Sequence, residues 1–463
     1  MADPQHDTTT AHTEPPDGHA PPPHRLGRRV RTASMVFILV TIFLDVLGIG
    51  LIIPVLPQLI ADLSAGDVAN ASRTYGLFVA AYAAMQFLFA PILGALSDRF
   101  GRRPVLLVSL FGAGIDYLVM GLAPDLAWLF AARLIAGLTA ANITVANAYI
   151  ADITAPAERS KRYGLVGAAF GLGFIVAPAV GGVLGSIDLR LPFFAAAAVV
   201  LLNWLYGYFV LPESLPRERR RPFQLRQANP IGSVGRLRAY PGVAGLAIVV
   251  VAANMAYLVL QSVWVLYTTL RFGWGPLENG LALAFLGVLT VLVQGFGIRP
   301  LLDLLGERRA IVLGLLSSVA SFTLYAVVPA GWMLLPAMVV GSLGGIAAPA
   351  LQGRISRSVS DAEQGTVQGA LASLGSLAAV VSPLLATSLF AAFTSATAPV
   401  FLPGAPFLFG AALLTLAIVL AARAARVAAR AEAAAADAAA AAAGQTDEPA
   451  SDGQQPPTLP IGP

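Results

Sequence analysis

The sequence predicts an all-α integral membrane protein, with twelve transmembrane helices arranged as two parallel six-helix bundles. Three observations predict it: an apolar composition, a one-sided distribution of basic residues, and an internal repeat at constant spacing. Of the 463 residues, 57% are hydrophobic and 12% are charged, and the mean hydropathy is +0.74. Soluble domains carry about 25% charged residues, so this much apolar surface needs lipid around it. The net charge of +4 is modest for the length and gives no reason to expect nucleic acid as a partner. Cysteine is absent, which excludes a disulfide framework and thiolate chemistry.

A bilayer-spanning helix needs about 20 apolar residues. Runs of that length fall at 34–61, 75–96, 104–123, 125–150, 162–185, 191–211, 242–270, 279–298, 309–329, 331–352, 364–390 and 405–424. Residues 1–33 are polar and proline-rich and lack the apolar core of a signal peptide; they read as a disordered cytoplasmic tail. His6, His12, His19 and His24 all lie there, and a solvated tail accounts for them better than a metal site. The first bundle is expected over 34–211 and the second over 242–424, joined by a cytoplasmic loop, 212–241. Residues 425–463 read as a cytoplasmic C-tail whose alanine run can prolong the last helix for a few turns.

The basic residues fix the expected orientation. Arg73, Arg190 and Arg271 fall on one side of this layout, and Arg133 falls inside a helix. Every other lysine and arginine lies in the tails, the even-numbered loops or the central loop. Both termini are therefore expected in the cytoplasm and the helix count is even. The central loop also divides a repeat. A shift of 205 residues carries Asp98 to Asp303, Gly101 to Gly306, Arg103 to Arg308, Glu158 to Glu363, Gly164 to Gly369 and Pro178 to Pro383. One offset over so long a stretch implies two six-helix units in the same orientation, the parallel-repeat plan of transporters whose substrate site lies between the halves.

Few charges lie deep in these spans: Asp45, Asp116 and Arg133, all in the first half. At about 1.5 Å rise per residue, Asp45 lies roughly 16 Å from the cytoplasmic start of helix 1, near the middle of the bilayer. Asp116 in helix 3 and Arg133 in helix 4 come out at about the same depth on successive antiparallel helices. A pairing would relieve both desolvation costs, and such a pair serves as a structural ion pair or as part of a proton path. Asp45 has no obvious mate. A midplane carboxylate of that kind can bind and release a proton as a cavity opens to each side, which is the physical requirement for coupling export to a proton gradient. Gly48, Gly50, Pro54 and Pro57 beside it mark a flexure.

The segment GALSDRFGRRPVLL joins helices 2 and 3. From it, Gly94, Asp98, Arg99, Gly101, Arg102 and Arg103 are candidates for a gating motif. Gly101 suits a tight turn with positive φ. Asp98 is placed to accept from an arginine or a helix N-terminus, and Arg102 and Arg103 suit anionic headgroups of the lipid bilayer. Ser360 to Glu363 has capping-box spacing at the start of helix 11. Asp98 against that helix end would latch the halves together on the inner face. Helix 5, GAAFGLGFIVAPAVGGVLG, has glycines at four-residue spacing that bare one face for close packing. Pro178, Gly181 and Gly182 are its gating candidates. Gln86, Asn142, Asn147, Gln261 and Gln294 are polar within apolar runs, and Trp264, Tyr257, Tyr117 and Phe285 are aromatics able to wall a cavity. Of these, Gln86, Asn142, Gln261, Trp264 and Gln294 are the substrate-binding candidates.

Together these segments resemble the drug–proton antiporters of the major facilitator superfamily. GALSDRFGRRP matches that superfamily's loop signature, Arg133 in RLIAGLTAAN looks like its helix-4 arginine, and GFIVAPAVGG is similar to its helix-5 antiporter signature, with Ala177 where glycine is usual. Within it, FLDVLGIGLIIPVLP, GAGIDYL, SVWVLYTTLRFGWG and GIAAPALQG look like the twelve-helix tetracycline efflux proteins, over roughly residues 34–424. The resemblance implies that Asp45 and Asp116 match the family's essential aspartates, and that Gln86 and Gln294 match polar positions in helices 2 and 8. It implies exchange of a divalent-metal–tetracycline chelate for a proton. Ser318 stands where relatives carry an acidic residue in helix 9, and Thr290 where they carry a histidine in helix 8. The first-half carboxylates are then left to serve alone.

The function expected is proton-coupled efflux of a tetracycline-like drug across the bacterial inner membrane by a monomer. The partners are a small-molecule drug and protons, and no resident cofactor is expected, a divalent cation travelling with the drug if at all. The alternative is a multidrug or secreted-metabolite exporter of the same fold. An enzyme is disfavoured, since no nucleotide loop, metal cluster or nucleophile–base pair stands out.

Overall fold

The computed structural model describes residues 28–64, 67–140, 142–155, 158–220, 222 and 241–444. The N-terminal tail up to residue 27 with its four histidines, residues 223–240 of the central loop and residues 445–463 lie outside the described residues. The described chain is helical, and eleven of its helical stretches are long and apolar enough to cross a membrane. One of them, Pro276–Val327, has 52 residues. A straight helix of that length would measure about 78 Å, more than twice the hydrocarbon core. It is broken at Gly306, where φ is 72° and ψ is 157°. It is two spans, and the total is the expected twelve.

In chain order the spans are span 1 (Arg28–Ile52), span 2 (Val68–Phe100), span 3 (Arg102–Leu122), span 4 (Leu126–Ile153), span 5 (Arg159–Ile187) and span 6 (Leu191–Val210). Span 7 is Pro241–Phe272; spans 8 and 9 share Pro276–Val327; span 10 is Gly331–Arg357, span 11 Asp361–Thr394 and span 12 Ala405–Gly444. Span 1 stops at Ile52, turns over 53–55 and resumes as Leu56–Leu63 with a proline in its first turn, which is the flexure its glycines and prolines predict. The last helix runs on to Gly444, through the alanine run.

Each half has its own packed interior. Phe37, Ile38, Leu106, Leu110, Tyr149 and Phe193 are fully buried in the first, and Tyr267, Phe390, Phe407 and Leu334 in the second. The repeat holds in the backbone. Gly101 and Gly306, one shift apart, both have positive φ, at 108° and 72°. Pro178 and Pro383, also one shift apart, both lie inside helices.

The halves meet along two seams, span 5 on span 8 and span 2 on span 11. Both seams are tight at the face opposite the chain termini. A Cβ on Gly182 would stand 2.6 Å from the Pro276 carbonyl oxygen and 3.0 Å from Gly280 Cα; one on Gly76 would stand 3.1 Å from the Pro383 carbonyl oxygen. Toward the terminal face the seams part. A Cβ on Gly164, Gly167, Gly295 or Gly365 would meet nothing within 4 Å.

The central loop, expected as a cytoplasmic connection over 212–241, begins as a packed segment. Leu211, Ser214 and Leu215 are buried. The Glu213 carboxylate accepts from the backbone N–H of Arg102 at 2.9 Å, of Arg103 at 3.3 Å and of Leu215 at 3.0 Å. The first two are free donors at the start of span 3, where a carboxylate is favoured by both hydrogen bonding and the helix dipole.

Candidate functional site

The three deep charges lie in the first half. Asp116 and Arg133 are 3% and 8% exposed, and Arg133 Nη2 is 2.9 Å from Asp116 Oδ2, the pairing that the depths on spans 3 and 4 lead one to expect. The guanidinium also lies 5.4 Å from the centre of the Tyr82 ring and touches Met120 Sδ at 2.7 Å. Asp45 has a partner that its sequence neighbourhood did not disclose. Its Oδ1 accepts from Asn142 Nδ2 at 2.7 Å. Gly48 makes room here, since a Cβ would stand 3.1 Å from Tyr117.

These groups surround a cavity of about 90 Å³ lined by Asp45, Tyr82, Gln86, Asp116, Tyr117, Arg133 and Asn142 among others. That is room for a few waters and too little for a drug-sized molecule. Asp116 Oδ1, Arg133 Nε and Asn142 Oδ1 are buried without a hydrogen-bond partner. Gln86 reaches the Ala140 carbonyl at a long 3.5 Å. Gln86 and Asn142, expected to contact substrate, thus stand beside the carboxylates, with Asn142 bonded to one of them.

The second half has no counterpart to the ion pair. The shift of 205 carries Asp116 to Ser321 and Arg133 to Met338. Ser321 Oγ donates to the Ala337 carbonyl at 2.9 Å, and Ser317 Oγ bonds the Val340 carbonyl. Ser318 is turned onto its own helix, donating to the Gly314 carbonyl at 3.0 Å. The other three substrate candidates are dispersed. Gln261 is exposed and donates to Tyr257 at 2.9 Å. Asn254, seven residues earlier on the same face of span 7, lies near Gly375 of span 11. Gln294 lies on the π-helical turn Val293–Gly297 of span 8, next to Gly345 of span 10. Trp264 is a core residue instead of a cavity wall. It is 3% exposed and packs edge-on against Trp274 and Tyr325.

At the terminal face, Gly101 turns the chain, and a Cβ there would run into the Glu213 carboxylate. Arg102 is the hub. Its guanidinium is 2.6 Å from Asp98, 3.2 Å from Asp152 and 2.6 Å from Ser97 Oγ. Ser214 Oγ also donates to Asp152, at 3.1 Å. Arg103 donates to the Tyr208 carbonyl at 2.6 Å, while Arg99 is exposed and lies over Phe100. Asp98 is therefore held within its own half and not on the start of span 11, because the seams are open at this face. Gly94 lies 3.8 Å, measured from a built Cβ, from Thr144 on span 4. On span 5, Pro178 sits inside the helix, Gly181 packs its bare face on Leu51, and Gly182 makes the seam with span 8.

Asp152 and Glu213 were not among the residues singled out from the sequence, and neither was the pair Glu307–Arg357, whose guanidinium and carboxylate are 2.5 Å apart. A signal existed for the last. The shift of 205 maps Arg102 to Glu307 and Asp152 to Arg357. Each half has this bridge in the same place, with the charges exchanged.

Comparison with known proteins accords with this geometry. The chain is 45% identical over 362 residues to the class C tetracycline resistance protein of Escherichia coli, covering 78% of this chain and 91% of that one. It is 40% identical over 391 residues to the class D tetracycline resistance protein of Salmonella ordonez, covering 84% and 96%. Among solved structures, the human organic anion transporter MFSD10 superposes with a TM-score of 0.62 at 26% identity, covering 84% of this chain and 99% of that one. The Major Facilitator Superfamily pattern matches residues 38–383 and 246–450. This multi-pass membrane protein, a transporter of a small molecule and not an enzyme, belongs to the Major Facilitator Superfamily.

Proposed function

We propose that the protein exports a tetracycline-like drug across the bacterial cytoplasmic membrane in exchange for protons. The observation that carries the reading is the pair of carboxylates, Asp45 and Asp116, gathered round one small cavity inside the half of a tetracycline-resistance homologue. Two carboxylates with polar partners, walled from lipid, can hold and release a proton. The drug, too large for this cavity, is proposed to sit between the halves, with Gln261 and Tyr257 of span 7 facing it. Basic residues crowd the terminal face, which supports a cytoplasmic location for both termini. In this orientation the structure is open to the cytoplasm. A single chain has both six-helix units and is proposed as the functional unit. A divalent cation enters this scheme only as cargo bound to the drug.

Everted membrane vesicles test the reading. Tetracycline uptake is expected to stop when the pH gradient is collapsed, and to be lost in Asp45→Asn and Asp116→Asn at unchanged protein level. Uptake that ignores the gradient would sink the proposal. Resistance to several unrelated drugs, with none to tetracycline, would point to a multidrug exporter instead.

A further inference from the structure

Span 4 is built of two helical pieces, Leu126–Thr139 and Asn142–Ile153, and Ala140 between them has left helical geometry, with ψ at 47°. Each piece engages one carboxylate. Arg133 on the first holds Asp116, and Asn142, the first residue of the second, holds Asp45. The second piece has 12 residues, or about 18 Å of helix. Near its other end Asp152 holds Arg102, the arginine that also engages Asp98. From the same piece, Tyr149 donates to the Pro212 carbonyl at 2.9 Å. One short helix thus touches Asp45 at one end, and the cytoplasmic loop and the start of the central linker at the other.

We infer that Asn142 is a positioning residue that passes the protonation state of Asp45 to the cytoplasmic gate, through the rigid piece Asn142–Ile153. The inference rests on Asp45 being a proton carrier. An ionised carboxylate only accepts hydrogen bonds, whereas a protonated one also donates. An asparagine amide can serve both states. Nδ2 of Asn142 already donates to Asp45, and its Oδ1, buried and unpartnered, is the acceptor a protonated Asp45 would use. Arrival of a proton changes which end of the amide is engaged and so moves Asn142 against span 1. The break at Ala140, whose carbonyl accepts the long contact from Gln86, sets this piece apart from the one that holds Asp116, so the piece can shift as a unit. The other titratable or charged groups on this cavity are Tyr82, Asp116, Tyr117 and Arg133. Spans 5 and 6, which also pack on span 1, contain none over 164–187 and 191–205. Arg133 is engaged by Asp116, which leaves Asn142 as the polar partner of Asp45.

The cysteine-free sequence permits a single reporter. Gly365→Cys sits near the start of span 11, where a Cβ meets nothing within 4 Å. Its labelling by a membrane-impermeant maleimide in everted vesicles, normalised to the denatured protein at the same pH, reads how open the cytoplasmic face is. Labelling is expected to change several-fold between acid and alkaline medium. The change should vanish in Asn142→Leu and in Asp152→Asn, and return in part in Asn142→Gln. A response retained in either of the first two overturns the inference. Should Asn142→Leu fail to fold, Asp152→Asn decides alone. A wild-type reporter that ignores pH, or an Asp45→Asn reporter that still responds, overturns the proton-carrier reading instead.

Discussion

Asp116 and Arg133 hold each other where neither charge could stand alone. Removing one partner of a buried ion pair leaves the other uncompensated, at a cost of roughly 3–5 kcal/mol, while replacing both with apolar groups is often neutral. Arg133→Met and Asp116→Leu should each lower the thermal stability of the detergent-solubilised protein by that order, and the double variant should recover most of it without recovering transport. Recovery of transport in the double variant would assign the pair to structure alone. The pair was legible in the sequence because helical rise converts residue number to depth, and two charges at one depth on adjacent spans have few alternatives. The bond from Asn142 to Asp45 was not legible. It depends on which faces of spans 1 and 4 are turned together, and on the break at Ala140, three residues past Gly137 in a run without proline.

The spans themselves were readable from apolar runs, down to the turn that divides residues 276–327, since the repeat places Gly306 opposite Gly101. Both glycines have φ and ψ values that other residues adopt only at about 1–3 kcal/mol of strain. Gly101→Ala should nonetheless be the more damaging substitution. Its Cβ would also displace Glu213 from the amides at the start of span 3, whereas a Cβ at Gly306 meets nothing within 4 Å. Melting temperatures of the two variants, with Glu213→Gln as the reference for the lost cap, check the order. Glu213 escaped notice in the sequence because its partners are backbone amides, which have no residue signature. An acidic residue among arginines just past the end of span 6 reads as an ordinary solvated loop.

For the molecule as a whole, duplication was legible from one constant offset, but the state of the seams was not, since a sequence pattern carries no record of which seam is closed. The repeated ion pair with exchanged charges supplies a test of the symmetry. Arg102→Glu with Asp152→Arg should restore much of what either change alone removes, measured as transport and as thermal stability. The same exchange at Glu307 and Arg357 should move stability by less than about 1 kcal/mol, as expected for an exposed pair, because the Arg357 side chain is 64% exposed and that of Arg102 only 11%. An equal response at both sites would contradict this account. The seam that closes the opposite face differs in kind from either. Gly182 and Gly280 meet there backbone to backbone, with the Pro276 carbonyl beside them. Dissolved salt therefore acts unequally on the two faces. Counter-ions screen the exposed carboxylate of Asp98 and its neighbour Arg99, whereas contacts between backbone atoms give them little to screen. Ionic strength can then tune how firmly the loop between spans 2 and 3 is held to its own half, and has little to act on where the glycines meet.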